Sequence, residues 1–375
     1  MTPILMVDLK SQYLRLKPEI DAAVRRVLET TAFIQGNEVF EFEQNLSQYT
    51  GSKNVISCGN GTDALTAALL SSDVGPGDEV VTTPFTFIAT VEAIARVGAT
   101  PVLTDVLEDT FMLDVSQLEA VLTTKTKAII PVHLFGQCAD MDSILKIAKS
   151  HNIKVIEDAC QAIGAEYTFA DGRRGHAGAM GSVGCLSFFP SKNLGCFGDG
   201  GALMTRDEEL AARLRSICRH GSTERYHHNL VGLNSRLDTL QAAVLNVKLQ
   251  HLREFIAARK KAATYYRSAL SDINWIALPE ENPQSAHTYH QFTIRVKDGR
   301  RDTLRSHLAD KGIPTAIHYP VPAHLQPAYA FLNHRAGDFP VAERLCDEVL
   351  SLPMHTELTE EQLDYICLTI KNFPL

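Results

Sequence analysis

The chain has 375 residues, 45% hydrophobic and 21% charged, the proportions of an ordinary globular protein with a core large enough to fold without staples. Its 36 Lys and Arg against 44 Asp and Glu leave a formal net charge of −8, which argues against a nucleic-acid partner but leaves room for local phosphate pockets. No apolar run approaches the roughly 20 residues of a membrane span, and Met1 to Lys10 lacks the basic start and apolar centre of a signal peptide, so a cytoplasmic enzyme with no membrane partner is expected.

Strands and helices alternate through the first two thirds. Val55 to Cys58 reads as a strand, followed by Gly59-Asn60-Gly61 and a helix from about Thr62. Further strands are expected at Glu79–Thr83, Thr100–Thr104, Ala128–Val132 and Val155–Glu157, with helical stretches such as Met141–Ser150 between them. This rhythm predicts a mostly parallel sheet covered on both faces. Val183–Phe189 and Ala202–Thr205 add two strands around a Gly-rich loop, a pair that can be antiparallel. Ala170 to Gly175 reads as a hairpin tip. From Leu237 to Ala258 an apolar stripe without Gly or Pro predicts one long helix. A strand through Tyr289, Phe292, Ile294 and Val296 follows, then a helix over Arg301–Lys311 ended by Gly312 and Pro314, and a last helix opened by the capping box Thr359-Glu360-Glu361-Gln362. A domain boundary is placed near residue 250, giving 1–250 and 251–375. The eight cysteines form no CxxC pair and most sit in apolar runs, so they read as reduced core residues, with no metal site implied.

Three segments carry chemistry. Gly59-Asn60-Gly61-Thr62-Asp63 lies between a strand and a helix; it can cradle a phosphate at the helix start, or equally be a tight turn capped by Thr62 or Asp63. Glu157-Asp158 ends a strand, where ligands of open α/β sheets gather. Alternation puts the two carboxylates on opposite faces, Asp158 toward a ligand or capping the next helix. Lys192 stands in an apolar, Gly-rich turn directly after a strand. An amine in a dry pocket can lose its proton and form a Schiff base with an aldehyde, and Ser187 and Ser191 can donate to a phosphate. Together the three suggest pyridoxal 5′-phosphate, which needs a lysine, a carboxylate for its ring nitrogen and a phosphate cup.

Here the sequence resembles the DegT–DnrJ–StrS family of pyridoxal-phosphate-dependent nucleotide-sugar aminotransferases. The likeness runs nearly end to end. It is carried by Phe33-Ile34-Gln35-Gly36, Gly59 to Leu65, Pro84 to Thr90, Glu157 to Gln161, Ser187 to Lys192, Asn234-Ser235-Arg236-Leu237 and His318-Tyr319-Pro320. The resemblance implies an aspartate-aminotransferase-like fold of type I, with a mostly parallel seven-stranded sheet in a large domain and a smaller α+β C-terminal domain. It also implies a homodimer with shared active sites. Lys192 matches the lysine joined to the cofactor aldehyde, Asp158 the partner of the ring nitrogen and Gln161 the residue near the ring hydroxyl. Phe87 matches the aromatic against the ring, and Gly61, Thr62 and Ser187 match the phosphate cup. Asn234 matches an asparagine reaching the neighbouring subunit's cofactor phosphate, Arg236 lies beside it facing substrate, and His318 and Tyr319 match a substrate-side pair.

Family members with histidine at the lysine position dehydrate their substrates; Lys192 favours transamination, with L-glutamate as the implied donor. Arg219-His220-Gly221, Arg225-Tyr226-His227-His228 and Ser351-Leu352-Pro353-Met354-His355 resemble most the branch acting on UDP-2-acetamido-2-deoxy-3-oxo-glucuronate, in surface polysaccharide biosynthesis. Ile317 to Pro320 with His324 to Tyr329 also resembles enzymes for dTDP-3-keto-6-deoxyhexoses. Both place the new amine at sugar C3. Two rivals rank lower. The complete Lys192–Asp158 set speaks against a non-catalytic regulatory protein on this fold, and the absence of a full GxGxxG speaks against a dinucleotide-binding oxidoreductase.

Overall fold

A computed structural model describes residues 3–224 and 226–374. Seven strands build the main sheet: β1 (Asn54–Cys58), β2 (Glu79–Thr82), β3 (Thr100–Leu103), β4 (Thr126–Ile129), β5 (Lys154–Asp158), β6 (Val183–Ser187) and β7 (Gly201–Thr205). Their order is β1-β7-β6-β5-β4-β2-β3. Every neighbouring pair is parallel except those made by β7, which runs antiparallel to β1 and β6. The type I aminotransferase fold expected from the sequence is therefore present, including the antiparallel pair.

The continuous apolar runs have a direct cause. Val81, Ile129, Val155 and Met204 pack into one hydrophobic cluster, while their neighbours Val80, Ala128, Ile156 and Leu203 pack into another across the sheet. A strand buried on both faces needs apolar residues at both alternations. Helices supply the cover: α1 (Leu9–Thr30), α2 (Asn37–Thr50), α3 (Gly61–Ser71), α4 (Ala89–Arg96), α5 (Met141–His151) and α6 (Glu208–Ile217). The first two, not expected from the sequence, bury a stripe that includes Leu16, Ile20, Ala23 and Val27 on α1. The hairpin expected at Ala170–Gly175 joins Glu166–Thr168 to Arg174–His176.

The long helix expected over Leu237–Ala258 is two helices, α7 (Thr239–Gln250) and α8 (Leu252–Leu270), broken at His251 with φ −96° and ψ 0°. No Gly or Pro announces the break. α7 packs against α1 and α2; the first turns of α8 (Leu252, Phe255, Ile256) stay in the same cluster, and from Ala262 onward α8 serves a third cluster with Phe292, Ile294 and Leu350. That cluster covers an antiparallel sheet of β8 (Ile276–Ala277), β9 (Phe292–Val296) and β10 (Val349–Leu352). Tyr289, read as strand, lies outside β9 with φ 48°, and its ring stacks on His287 at 4.0 Å. The helix after β9 is α9 (Arg301–Asp310), and the capping box at Thr359 opens α10 (Glu360–Lys371). No described helix is long and apolar enough to cross a membrane.

Candidate active site

Strands β1, β2, β5 and β6 end at the same edge of the sheet, and the loops beyond them wall a cleft of about 620 Å³. Gly61, Thr62, Phe87, Asp158, Gln161, Ser187, Lys192, His318 and Tyr319 all line it. Asn234 and Arg236 do not. Asn234 is exposed and pairs through its backbone with Arg219, and Ser235 between them accepts the Gly59 N–H at 2.9 Å. Asn234 is no helix cap, since α7 starts after Asp238. Arg225 lies outside the described residues.

Asp158 ends β5. Its Oδ2 accepts from Thr90 Oγ1 at 2.8 Å and its Oδ1 from the Cys160 N–H at 3.2 Å. Glu157 points the other way, as strand alternation requires, and is fully buried. It accepts from the backbone N–H groups of Gly178 (2.8 Å), Met180 (2.7 Å) and Gly181 (2.5 Å), and meets His133 Nε2 at 2.8 Å. Since His133 Nδ1 accepts from Ala139 N, its Nε2 carries the proton toward Glu157. One carboxylate is thus consumed by structure and the other left for the cleft.

Lys192 lies in a turn closed by bonds from its own N–H to Phe189 O and from Cys196 N to Phe188 O, both 2.8 Å. Asn193 Nδ2 ties the turn to Thr288 O at 3.1 Å, and the buried Lys248 Nζ ties it to Gly195 O at 2.7 Å. Burial pushes the Lys192 amine below its ordinary range, against the opposing pull of Cys160 and Asp158.

The capping side chain of α3 is Asn60, accepting from Asp63 N at 2.8 Å, rather than Thr62 or Asp63. Asn60 reaches back from an extended backbone, which suits a short amide. The first-turn N–H groups of Gly61 and Thr62 have no carbonyl within the helix. A Cβ on Gly61 would lie 2.8 Å from Ser187 Cβ and 2.9 Å from Cys160 Sγ, so α3 begins hard against the ends of β5 and β6. Cys160, half-buried in the cleft wall, departs from the core reading given to most cysteines.

Gln161 is held at both ends. Its Oε1 accepts from Phe135 N at 2.8 Å and its Nε2 donates to Tyr319 OH at 2.9 Å, leaving one N–H free to donate. Phe87, 54% exposed, is no core residue; its ring lies 6.0 Å from that of Tyr319. His318 Nδ1 meets Ser351 Oγ at 2.9 Å, and burial, with Lys192 adding to it, pushes the ring down to about 4. The imidazole is therefore neutral at neutral pH. Sequence reasoning did not single out Thr90 or His290 as individual site residues. Thr90 lies inside the Pro84–Thr90 segment that carries the family resemblance, but no local signal marks it, since its burial and its partner Asp158 are set by the fold. His290 was hidden in a presumed strand; it lines the cleft buried, its basicity lowered by burial and by Lys192.

The family model described as the DegT/DnrJ/EryC1/StrS aminotransferase family matches residues 15–371. The chain belongs to this family. A "Pleiotropic regulatory protein" of Geobacillus stearothermophilus is 48% identical, covering 98% of both chains. The UDP-2-acetamido-2-deoxy-3-oxo-D-glucuronate aminotransferase of Pseudomonas aeruginosa is 46% identical over 98% of this chain and 99% of its own. A dTDP-3-amino-3,4,6-trideoxy-alpha-D-glucose transaminase of Streptomyces venezuelae is 44% identical over 95% and 92%. Among solved structures, S. venezuelae DesV in complex with a ketimine intermediate superposes with a TM-score of 0.95 at 42% identity, covering 99% of this chain and 98% of DesV. The protein is an aminotransferase, and its cleft fits pyridoxal 5′-phosphate, the family's cofactor. It offers an amine whose basicity burial lowers, a carboxylate held by neutral donors, and first-turn N–H groups of α3, unpaired among the described residues, packed against Ser187 where no side chain has room.

Proposed function

We propose that this protein transfers the amino group of L-glutamate to the C3 keto group of UDP-2-acetamido-2-deoxy-3-oxo-glucuronate, in the cytoplasm, for surface polysaccharide biosynthesis. The observation that carries the reading is that Lys192 and Asp158 line one cleft. Pyridoxal 5′-phosphate, when bound, supplies an aldehyde for the lysine and a ring that accepts electrons. Lys192, its basicity lowered by burial, takes the proton from the α-carbon of the amino donor through Nζ. Asp158 keeps a proton on the ring nitrogen through its charge. Gly61, Thr62 and Ser187 bind the phosphate, Phe87 covers the ring and Gln161 gives its free N–H to the ring hydroxyl.

His318, neutral, and Tyr319 face the sugar. Asn234, on the outer surface, reaches the cofactor phosphate of a second copy in a homodimer, and Arg236 beside it faces that copy's substrate. The chain divides near residue 250 into a large cofactor-binding domain (1–250) and a small domain (251–375).

The name and 46% identity of the Pseudomonas relative support the UDP-uronate. The Streptomyces relative supports a second reading, a dTDP-3-keto-6-deoxyhexose. The regulatory name of the Geobacillus relative fits poorly with a complete Lys192–Asp158 pair. Purified protein loaded with pyridoxal phosphate should show a visible band that borohydride abolishes, and should aminate the UDP-uronate in preference to dTDP-keto-hexoses when given glutamate. Lys192→Ala should lose both the borohydride-trapped adduct and all turnover. Turnover in that variant defeats the assignment of Lys192; preference for a dTDP sugar defeats the UDP-uronate.

A further inference from the structure

Thr90 lies in the first turn of α4 and is fully buried. Its hydroxyl carries one proton and has three oxygen neighbours: Asp158 Oδ2 at 2.8 Å, Thr86 Oγ1 at 3.1 Å and the Phe87 carbonyl at 3.3 Å. The proton belongs to the shortest and charged acceptor, because a hydrogen bond to an ionised group is roughly twice as strong as a neutral one. Thr90 Oγ1 keeps lone pairs, and the Thr86 hydroxyl donates into them. The result is a directed chain, Thr86 to Thr90 to Asp158, whose polarity suits a carboxylate. The Cys160 N–H holds the second oxygen. Both donors are neutral, so Asp158 is fixed in orientation while its whole negative charge stays available to a cationic group in the cleft. The same threonine contacts the carbonyl of Phe87, so one side chain joins the acid to the loop that carries the aromatic ring.

We propose that Thr90, backed by Thr86, is a positioning residue that orients Asp158. This rests on the reading that Asp158 pairs with the protonated ring nitrogen of pyridoxal phosphate. Thr90→Val keeps the shape and removes the hydroxyl, whereas Thr90→Ser keeps the hydroxyl. In equilibrium titrations, Thr90→Val binds pyridoxal phosphate about tenfold more weakly than wild type, the scale of one hydrogen bond to a charged group, and Thr90→Ser binds within about twofold. The pH midpoint of the bound cofactor's visible band moves in the valine variant and returns in the serine variant. A merely structural role would lower the melting temperature and leave that midpoint in place. A folded Thr90→Val with wild-type affinity and midpoint overturns the proposal. If Thr90→Val does not fold, Thr86→Val decides: about threefold weaker binding supports the chain of donors, and unchanged binding overturns it. Wild-type protein that forms no visible band overturns both this inference and the reading of the cleft beneath it, whereas a normal wild-type band beside an indifferent Thr90→Val overturns this inference alone.

Discussion

Replacing Gly61 by alanine sets two effects of opposite sign against each other. On an exposed helix, Gly→Ala stabilises by about 1 kcal/mol because alanine loses less backbone freedom. Gly61 lacks a positive φ, so its backbone does not demand glycine. Its surroundings do. The new Cβ would lie 2.8 Å from Ser187 Cβ and 2.9 Å from Cys160 Sγ, and ordinary contact requires about 0.8 Å more. The Ser187 contact is to a Cβ, which cannot move without its backbone, so rotating the Cys160 thiol would relieve only part of the clash. Ser187 pairs with Gly201 of β7, and Cys160 stands two residues past the end of β5. Overpacking of this kind costs about 1–3 kcal/mol, so the steric term wins and the net loss is about 1 kcal/mol. Relief requires α3 to move away from β6, which carries the N–H groups of Gly61 and Thr62 away from Ser187. We therefore expect Gly61→Ala to melt slightly below wild type and to bind pyridoxal phosphate about tenfold more weakly. Thermal melts without cofactor and an equilibrium titration with it measure the two effects separately. A variant that melts at or above wild type with unchanged affinity would refute the argument that space, and not conformation, keeps glycine here.

Acid should destabilise the fold from about pH 6.5 downward. Burial pushes His355 down to about 4 and His287 to about 3, from an ordinary value of 6.5. The unfolded chain therefore binds protons that the folded chain refuses, and this stability is full above pH 6.5 and is lost as pH falls through 6.5 to 4. For His355 alone the loss is about 3 kcal/mol. Denaturant midpoints across that range should flatten in His355→Gln, and an unaltered slope would count against the buried neutral ring. At Glu157, replacement by leucine leaves three backbone N–H groups and His133 without an acceptor and should cost more than about 4 kcal/mol, with Glu157→Gln costing roughly half as much. Denaturant unfolding measures both; a loss below about 1 kcal/mol in Glu157→Leu would show that the N–H groups find other partners.

Much of the large sheet was legible because both its faces are buried. Runs such as Val80-Val81 and Val155-Ile156 stay apolar at both alternations, and that pattern needs no knowledge of the partner strands. The capping box at Thr359 is equally local. The misreadings occur where distant packing overrides local pattern. Nothing around His251 signals a break between α7 and α8, and the far end of α8 answers to a different cluster from α7. Tyr289 has strand chemistry but turns with a positive φ and stacks on His287. Asn60, not its neighbours, caps α3, a choice that depends on which residue holds an extended backbone at the end of β1.

Residue type and order along the chain were enough to mark Lys192, Asp158 and the Gly59–Thr62 turn as chemically able groups, because a lysine in a Gly-rich turn and an acid ending a strand carry their meaning locally. That they meet was decided by the crossovers of the sheet, which bring the ends of β1, β2, β5 and β6 to one edge. The partners that complete the site could be found only there: Thr90 lies 68 residues before the Asp158 it holds, and Tyr319 lies 158 residues after Gln161. Hydrogen bonds over such separations leave no periodicity in a sequence, and only the folded chain closes the distance.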